Sequence, residues 1–146
     1  MRTGIIDPRT DLPDPGDIIL TLDDAQRISA AARAAALEHG WTMVIAVVDD
    51  GGHLITLERM DGAQKGSVRV AEQKARTAIL FKRPTKLLED AVLKGRTVMM
   101  SLPDAICLEG GGPLVRDGVY LGAIGVSGAT SSEDGVVAAR GVAALG

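Results

Sequence analysis

Residues 109–128 have the sequence EGGGPLVRDGVYLGAIGVSG, in which a run of glycines is followed by two predicted strands. Residues 114–116 and 119–126 are predicted strands, because both are rich in Val, Leu and Ile, and Asp117-Gly118 between them favours a turn. The second strand is apolar on both faces, which is typical of a strand at the centre of a sheet. Its glycines are expected to let a helix pack closely against it.

Three successive glycines, Gly110, Gly111 and Gly112, precede the first of these strands, with Glu109 before them and Pro113 after them. Glycine tolerates positive φ and lets other groups approach the backbone closely. One interpretation is a loop that binds a small molecule through backbone N–H groups, and the other is a tight bend between strands. A dinucleotide-binding loop is excluded, because a strand and not a helix follows the glycines.

Composition narrows the class of protein. Of the 146 residues 46% are hydrophobic, yet there is only one Phe, one Tyr and one Trp, so the core is expected to consist of Ala, Val, Leu and Ile. The scarcity of aromatic rings and the net charge of −3 argue against nucleic-acid binding, and the charge also argues against an anionic membrane surface. The single cysteine, Cys107, forms no internal disulfide, which fits a reducing compartment. We expect a cytoplasmic protein.

The order of the predicted elements indicates the architecture. Residues 1–20 contain three prolines and are expected to form an extended arm, and residues 21–146 are expected to form one domain. Thr21, Asp61, and Ser131 or Ser132 are positioned to cap helices. The pattern αββααβββα indicates an α+β domain, in which an antiparallel sheet of about five strands is flanked by helices. The predicted strands span residues 42–48, 53–60, 105–108, 114–116 and 119–126.

Four charged residues are candidates for contact with a ligand. Arg59, at the end of a predicted strand, offers a fork for a carboxylate. Lys74 flanks the buried stripe of the second helix and is expected to reach a pocket with its ammonium group. Glu109 beside the glycines is the candidate base, and Asp61 is a second proton carrier. We expect Arg59, Lys74 and Glu109 to converge on one cavity that has the glycine backbone as its floor.

Six short stretches occur in a characteristic order from about residue 20 to the end. They are Leu22-x-x-Ala25, residues 47–54 (VVDDGGHL), 59–63 (RMDGA), 74–78 (KARTA), 110–114 (GGGPL) and 122–129 (GAIGVSGA). Together they resemble the GlcG/HbpS-like family of small haem-binding proteins, which is related to the C-terminal domain of PduO-type proteins. The resemblance does not cover the arm.

The resemblance implies a profilin-like fold and self-association into dimers or larger, ring-like assemblies. It also implies that some members bind haem or another small planar ligand. The residues themselves make Arg59, Lys74 and the segment Gly110–Pro113 the candidate ligand-binding residues. Only His39 and His53 offer an imidazole. Because His39 is expected to end the first helix, His53 is the candidate metal ligand.

Three hypotheses about function follow. The first is a binding module for haem or a related macrocycle. The second is a cofactor-independent isomerase or tautomerase, which acts on a small unsaturated acid in a pathway such as aromatic catabolism and transfers protons through Glu109 and Asp61. The third is an assembly partner without a ligand. The sequence contains no nucleophile elbow, no zinc-type Cys/His spacing and no P-loop.

Overall fold

An antiparallel sheet forms the middle layer of the computed structural model, which describes residues 19–146. Its four strands are β1 (Val44–Asp49), β2 (Leu54–Arg59), β3 (Gly111–Arg116) and β4 (Val119–Ser127). They pair in the spatial order β2-β1-β4-β3, so β2 and β3 are the edges of the sheet. The Asp117-Gly118 turn joins β3 to β4, and both of its residues have positive φ, as a tight hairpin requires.

Four α-helices and one short 3₁₀ helix surround the sheet. Thr21 caps the first helix in a capping box with Asp24, which confirms the predicted start. Thr130 and Glu133 form the same box at the start of the last helix. The helices are α1 (Leu22–His39), α2 (Ser67–Leu80), α3 (Thr85–Leu93) and α4 (Ser131–Ala143), and the 3₁₀ helix is Thr97–Ser101.

Both faces of the sheet are covered, as its apolar strands predict. In β1, Ile45 and Val47 point to the core that α1 and α4 share. Val44, Ala46 and Val48 point to the opposite core, which the alanines of α2 fill. Because side chains alternate between the faces of a strand, a fully apolar strand needs a layer of helices on each side.

Gly125 in β4 is where α2 lies closest to the sheet. A Cβ atom at this position would overlap the carbonyl oxygen of Ala71 and would lie 2.5 Å from the backbone nitrogen of Ala75. Only glycine leaves room for backbone to approach so closely. The expected role in helix packing is confirmed for Gly125.

Several sequence predictions are wrong in detail. The sheet has four strands and the element order is αββααββα, because residues 105–108 form no strand. The N–H of Ile106 instead donates to the hydroxyl of Thr77 at 3.0 Å, which satisfies the backbone without a neighbouring strand. Asp61 does not cap α2, which begins at Ser67 after Gly66. Ser131 and Ser132 lie inside α4 and not at its cap.

Most of the predicted arm, residues 1–18, lies outside the described residues. Leu20, at its end, is buried in the core beneath α1. Among residues 19–146, no helix combines the length and the apolar character that crossing a bilayer demands.

Candidate ligand-binding site

The glycine segment lines a cavity of about 340 Å³, here called the glycine cavity. The cavity lies between the start of α3, the start of β3 and one side of α4. Small and apolar residues form most of its wall, and Lys86 and Glu109 are its charged residues. The lining residues are Pro84, Lys86, Glu109, Gly110, Gly111, Gly112, Pro113, Gly135, Ala138, Ala139 and Val142.

The glycines of this cavity serve packing more than backbone hydrogen bonding to a ligand. The N–H of Gly111 donates to the hydroxyl of Thr85 at 2.9 Å and is therefore already used. A Cβ at Gly111 would overlap the carbonyl oxygen of Lys74, and one at Gly112 would lie 3.1 Å from a methyl group of Val142. The glycines thus permit close packing against α2 and α4, and the predicted backbone donor at Gly111 is occupied.

Glu109 lies beside these glycines, against α4. Its carboxylate occupies the space that a Cβ of Gly135 would fill, so Gly135 lets the carboxylate lie directly on the helix. Among residues 19–146, no hydrogen-bond donor or cation is paired with this carboxylate. Lys86, the other charged residue of the cavity, is 3.1 Å from Asp90 in an exposed pair. Within the described part of the chain, the carboxylate of Glu109 therefore has no direct partner that would compete with a ligand.

Lys74 lies below the cavity floor, where its ammonium group is closed off from ligands. Its Nζ donates to Oδ2 of Asp134 at 2.9 Å and to the carbonyl oxygen of Val126 at 3.0 Å. Both side chains of the ion pair are almost fully buried. A Cβ at Gly110 would be 2.9 Å from the ammonium nitrogen. Lys74 therefore ties α2 to β4 and α4 behind the glycines, and the expectation that it reaches into a pocket is not met.

Burial raises the pKa of the Asp134 carboxyl above its usual value. This shift is opposed by the ion pair with Lys74 and by hydrogen bonds from the backbone N–H groups of Ala129 and Gly128. A raised pKa in the folded chain means that this carboxyl contributes stability below its unfolded pKa, and that this stability is lost as the pH rises through the folded pKa. The pair is thus a poor source of stability at neutral pH. Losing one partner, however, leaves the other charge buried and alone.

Arg59 and Asp61 line a different cavity, here called the Trp41 cavity, of about 460 Å³. Arg59 is the last residue of edge strand β2, whereas the glycines begin the opposite edge strand β3. Three strand spacings of about 4.8 Å separate the two edges, roughly 14 Å in all. The structure therefore does not bring Arg59 to Glu109. The lining residues are Arg33, Leu37, Gly40, Trp41, Thr42, Glu58, Arg59, Met60 and Asp61.

His53 lies just after the turn between β1 and β2, outside both cavities. Its side chain is 79% exposed, and its Nδ1 is 3.3 Å from Oδ1 of Asp49. Within the described part of the chain, no three His, Cys, Asp or Glu side chains are grouped as a metal site would require. A role for His53 as a metal ligand stays a prediction.

Sequence reasoning missed the contribution of α4. Gly135 and Ala139 lie on the side of this helix that faces the glycine cavity. The first turn of α4 also supplies Asp134, whose carboxylate is the buried partner of Lys74. One feature of the sequence, Gly135, indicated this contribution. A glycine inside a helix lowers helix stability by about 1 kcal/mol relative to alanine and so indicates a packing requirement.

Comparisons with known proteins identify the family. Residues 20–143 match the family model described as Haem degrading protein HbpS-like. The chain is 44% identical to protein GlcG of Escherichia coli over 110 residues, which cover 75% of this chain and 82% of GlcG.

Solved structures share the fold over nearly the whole chain. The crystal structure of HbpS has a TM-score of 0.83 at 32% identity, and the match covers 97% of this chain and 99% of HbpS. The crystal structure of a PduOC–haem complex has a TM-score of 0.79 at 29% identity, with 87% of this chain and 95% of PduOC covered. The fold, the family model and the identity to GlcG agree, and the chain belongs to the HbpS-like family.

Proposed function

We propose that this chain binds haem or a related planar macrocycle in the glycine cavity. The observation that carries the proposal is the cavity itself, which is mostly apolar, is lined by small residues and contains a carboxylate that has no direct partner among residues 19–146. Its volume of about 340 Å³ falls in the range of roughly 300–1,000 Å³ that is typical of small-molecule sites. Membership of the HbpS-like family supports haem as the ligand, since one solved relative is a PduOC–haem complex.

The residues of the cavity fit a flat apolar ring. Gly112 has no side chain, and Ala138 and Ala139 present only methyl groups, so a planar ring can lie close to β3 and α4. Lys86 at the rim offers an ammonium group to a carboxylate substituent of the ring. A small cavity of this size encloses one side of a macrocycle and leaves the other side at the surface.

Glu109 is the residue that would hold the iron. No imidazole, thiolate or thioether lies among the described lining residues, and Glu109 supplies the one carboxylate. Because its charge has no partner among residues 19–146, a cation at the ring centre would neutralise it without breaking an existing ion pair. Bound haem supplies redox chemistry, and the chain supplies the cavity and its charge.

The proton-transfer hypothesis receives less support from the geometry. It requires a base, a second carboxylate and a cationic clamp around one substrate. Glu109 lines the glycine cavity, whereas Arg59 and Asp61 line the Trp41 cavity. Lys74 is buried in the core. The residues that were expected to act together therefore have no common space.

Self-association and a cytoplasmic location stay predictions. Four apolar side chains on α3 and the 3₁₀ helix support self-association, because each is more than half exposed and such surfaces are typical of protein contacts. They are Leu87, Leu93, Val98 and Met100.

Ala139→Phe is expected to weaken haem binding by about tenfold or more, which corresponds to about 1.4 kcal/mol or more. Ala139 is exposed and lines the glycine cavity, so a phenyl ring there fills the cavity without disturbing the core. Titration of the apo protein with haemin, followed by the Soret band, gives the dissociation constants.

The matched control is Ala30→Phe, which adds the same ring to an exposed position of α1 outside both cavities. It should bind haemin as the unchanged protein does. Equal affinity of the Ala139→Phe variant and the unchanged protein, or the absence of any Soret change at micromolar haemin, contradicts the proposal.

A further inference from the structure

The Trp41 cavity contains four charged side chains, and two of them are already satisfied. Arg33 pairs with Glu58, and Glu58 also accepts a hydrogen bond from the hydroxyl of Ser29. Arg59 and Asp61 have neither an ion-pair nor a hydrogen-bond partner for their side chains among residues 19–146. Within residues 19–146, the cavity therefore presents one cation and one anion that have no partner.

The chain segment that carries these two charges is fixed by the residue between them. The backbone N–H of Met60 donates to the carbonyl oxygen of Met43 at 3.0 Å. The backbone N–H of Met43 in turn donates to the thioether sulfur of Met60 at 3.4 Å. These contacts anchor Met60 to the core, while Arg59 and Asp61 on either side of it line the cavity. The backbone that carries Arg59 and Asp61 is thus fixed at the end of β2, and both side chains are exposed.

An aromatic wall completes the cavity. The ring of Trp41 stacks on His39, with ring centroids 4.3 Å apart and an interplanar angle of 14°. His39 is itself held by a 2.9 Å hydrogen bond between its Nδ1 and the carbonyl oxygen of Ala35. Trp41 and Leu37 therefore offer an apolar surface that is already positioned beside the free charges.

We propose that the Trp41 cavity is a second ligand site, which binds a small zwitterion of the α-amino acid class with an apolar side chain. Arg59 binds the carboxylate, Asp61 accepts hydrogen bonds from the ammonium group, and the side chain of the ligand lies on Trp41 and Leu37. A ligand with only one charge meets either Arg59 or Asp61 but not both, and so forgoes one charge-assisted contact. This site is separate from the glycine cavity.

L-Leucine is the probe, and Trp41 is the reporter. Because the chain contains a single Trp, the indole N–H gives one signal in an NMR spectrum of isotope-labelled protein. L-Leucine should shift this signal in a saturable manner. Isocaproate has the same skeleton without the ammonium group, and isopentylamine lacks the carboxylate. Both are expected to bind at least about tenfold more weakly, since each forgoes one charge-assisted contact.

Two variants test the roles of the charged residues. Arg59→Gln and Asp61→Asn should each weaken L-leucine binding about tenfold to a hundredfold. Arg96→Gln removes the same charge at an exposed position outside both cavities and should bind as the unchanged protein does. Backbone amide signals away from the cavity confirm that each variant is folded.

The absence of a saturable shift with L-leucine overturns the inference. Isocaproate that binds as tightly as L-leucine, or L-leucine binding that is unchanged in Arg59→Gln, also overturns it. Haemin binding by Arg59→Gln should remain as in the unchanged protein, which keeps the test of this site independent of the glycine cavity.

Discussion

Lys74→Met is expected to lower the free energy of unfolding by about 3–5 kcal/mol, because it leaves the carboxylate of Asp134 buried without its cation. Lys74 is 2% exposed, and its ammonium group has two acceptors, Oδ2 of Asp134 and the carbonyl oxygen of Val126. Methionine fills a similar volume, so the effect reports the lost charge more than a lost contact. Urea unfolding followed by circular dichroism at neutral pH measures the difference.

The double variant Lys74→Met/Asp134→Leu separates the destabilisation caused by an unpaired buried charge from the net contribution of the ion pair to the free energy of unfolding. Replacing both partners of a buried ion pair by apolar residues is often neutral or stabilising. We therefore expect the double variant to be more stable than Lys74→Met alone. Lys94→Met, at an exposed position, serves as the control and should change stability little. The assignment of a buried ion pair is contradicted if Lys74→Met is as stable as the unchanged protein. It is also contradicted if the double variant is less stable than Lys74→Met because the destabilising effects of the two substitutions add.

Gly125→Ala should destabilise the protein by about 3 kcal/mol or more, at or beyond the upper end of measured overpacking effects. The added methyl group would overlap the carbonyl oxygen of Ala71 and lie 2.5 Å from the nitrogen of Ala75. Both are backbone atoms of α2, so relief requires the whole helix to move from the sheet. The free energy of unfolding from urea titration gives the size of the effect.

Gly66→Ala is the matched control for this substitution. Gly66 has φ −60° and ψ −25°, and a Cβ there has no other atom within 4 Å. Alanine at such a position is neutral or stabilises by about 0.4–1 kcal/mol, because it restricts the unfolded chain. If Gly125→Ala and Gly66→Ala were equally stable, α2 would not pack against β4 as described.

The strongest sequence patterns predicted the fold well. The apolar runs of β1 and β4, the Asp117-Gly118 turn and the Thr21 cap each depend on local sequence, and the structure confirms all of them. Residues 105–108 are also apolar, but β propensity depends on which neighbour is present. In the folded chain the neighbour of Ile106 is the Thr77 side chain, so no strand forms there.

The site was predicted in part. Glu109 and the glycines share a cavity, as their adjacency in the sequence suggests. Arg59 was expected in the same cavity, but its position depends on the order of strands in the sheet, which residue patterns do not determine. Lys74 was expected to reach this cavity, but the sequence around it does not identify the acidic partner that holds its ammonium group in the core. Its buried partner Asp134 is 60 residues away in the chain.

Paramagnetic broadening of backbone amide signals by bound ferric haem tests the location of the ring most directly, with diamagnetic gallium protoporphyrin as the reference ligand. If haem occupies the glycine cavity, the broadening is confined to residues 109–113 and 135–142 and their immediate neighbours. Signals from Trp41 and His53 then stay sharp. Broadening centred on the Trp41 cavity or on the turn beside His53, with residues 109–113 unaffected, contradicts the proposed site.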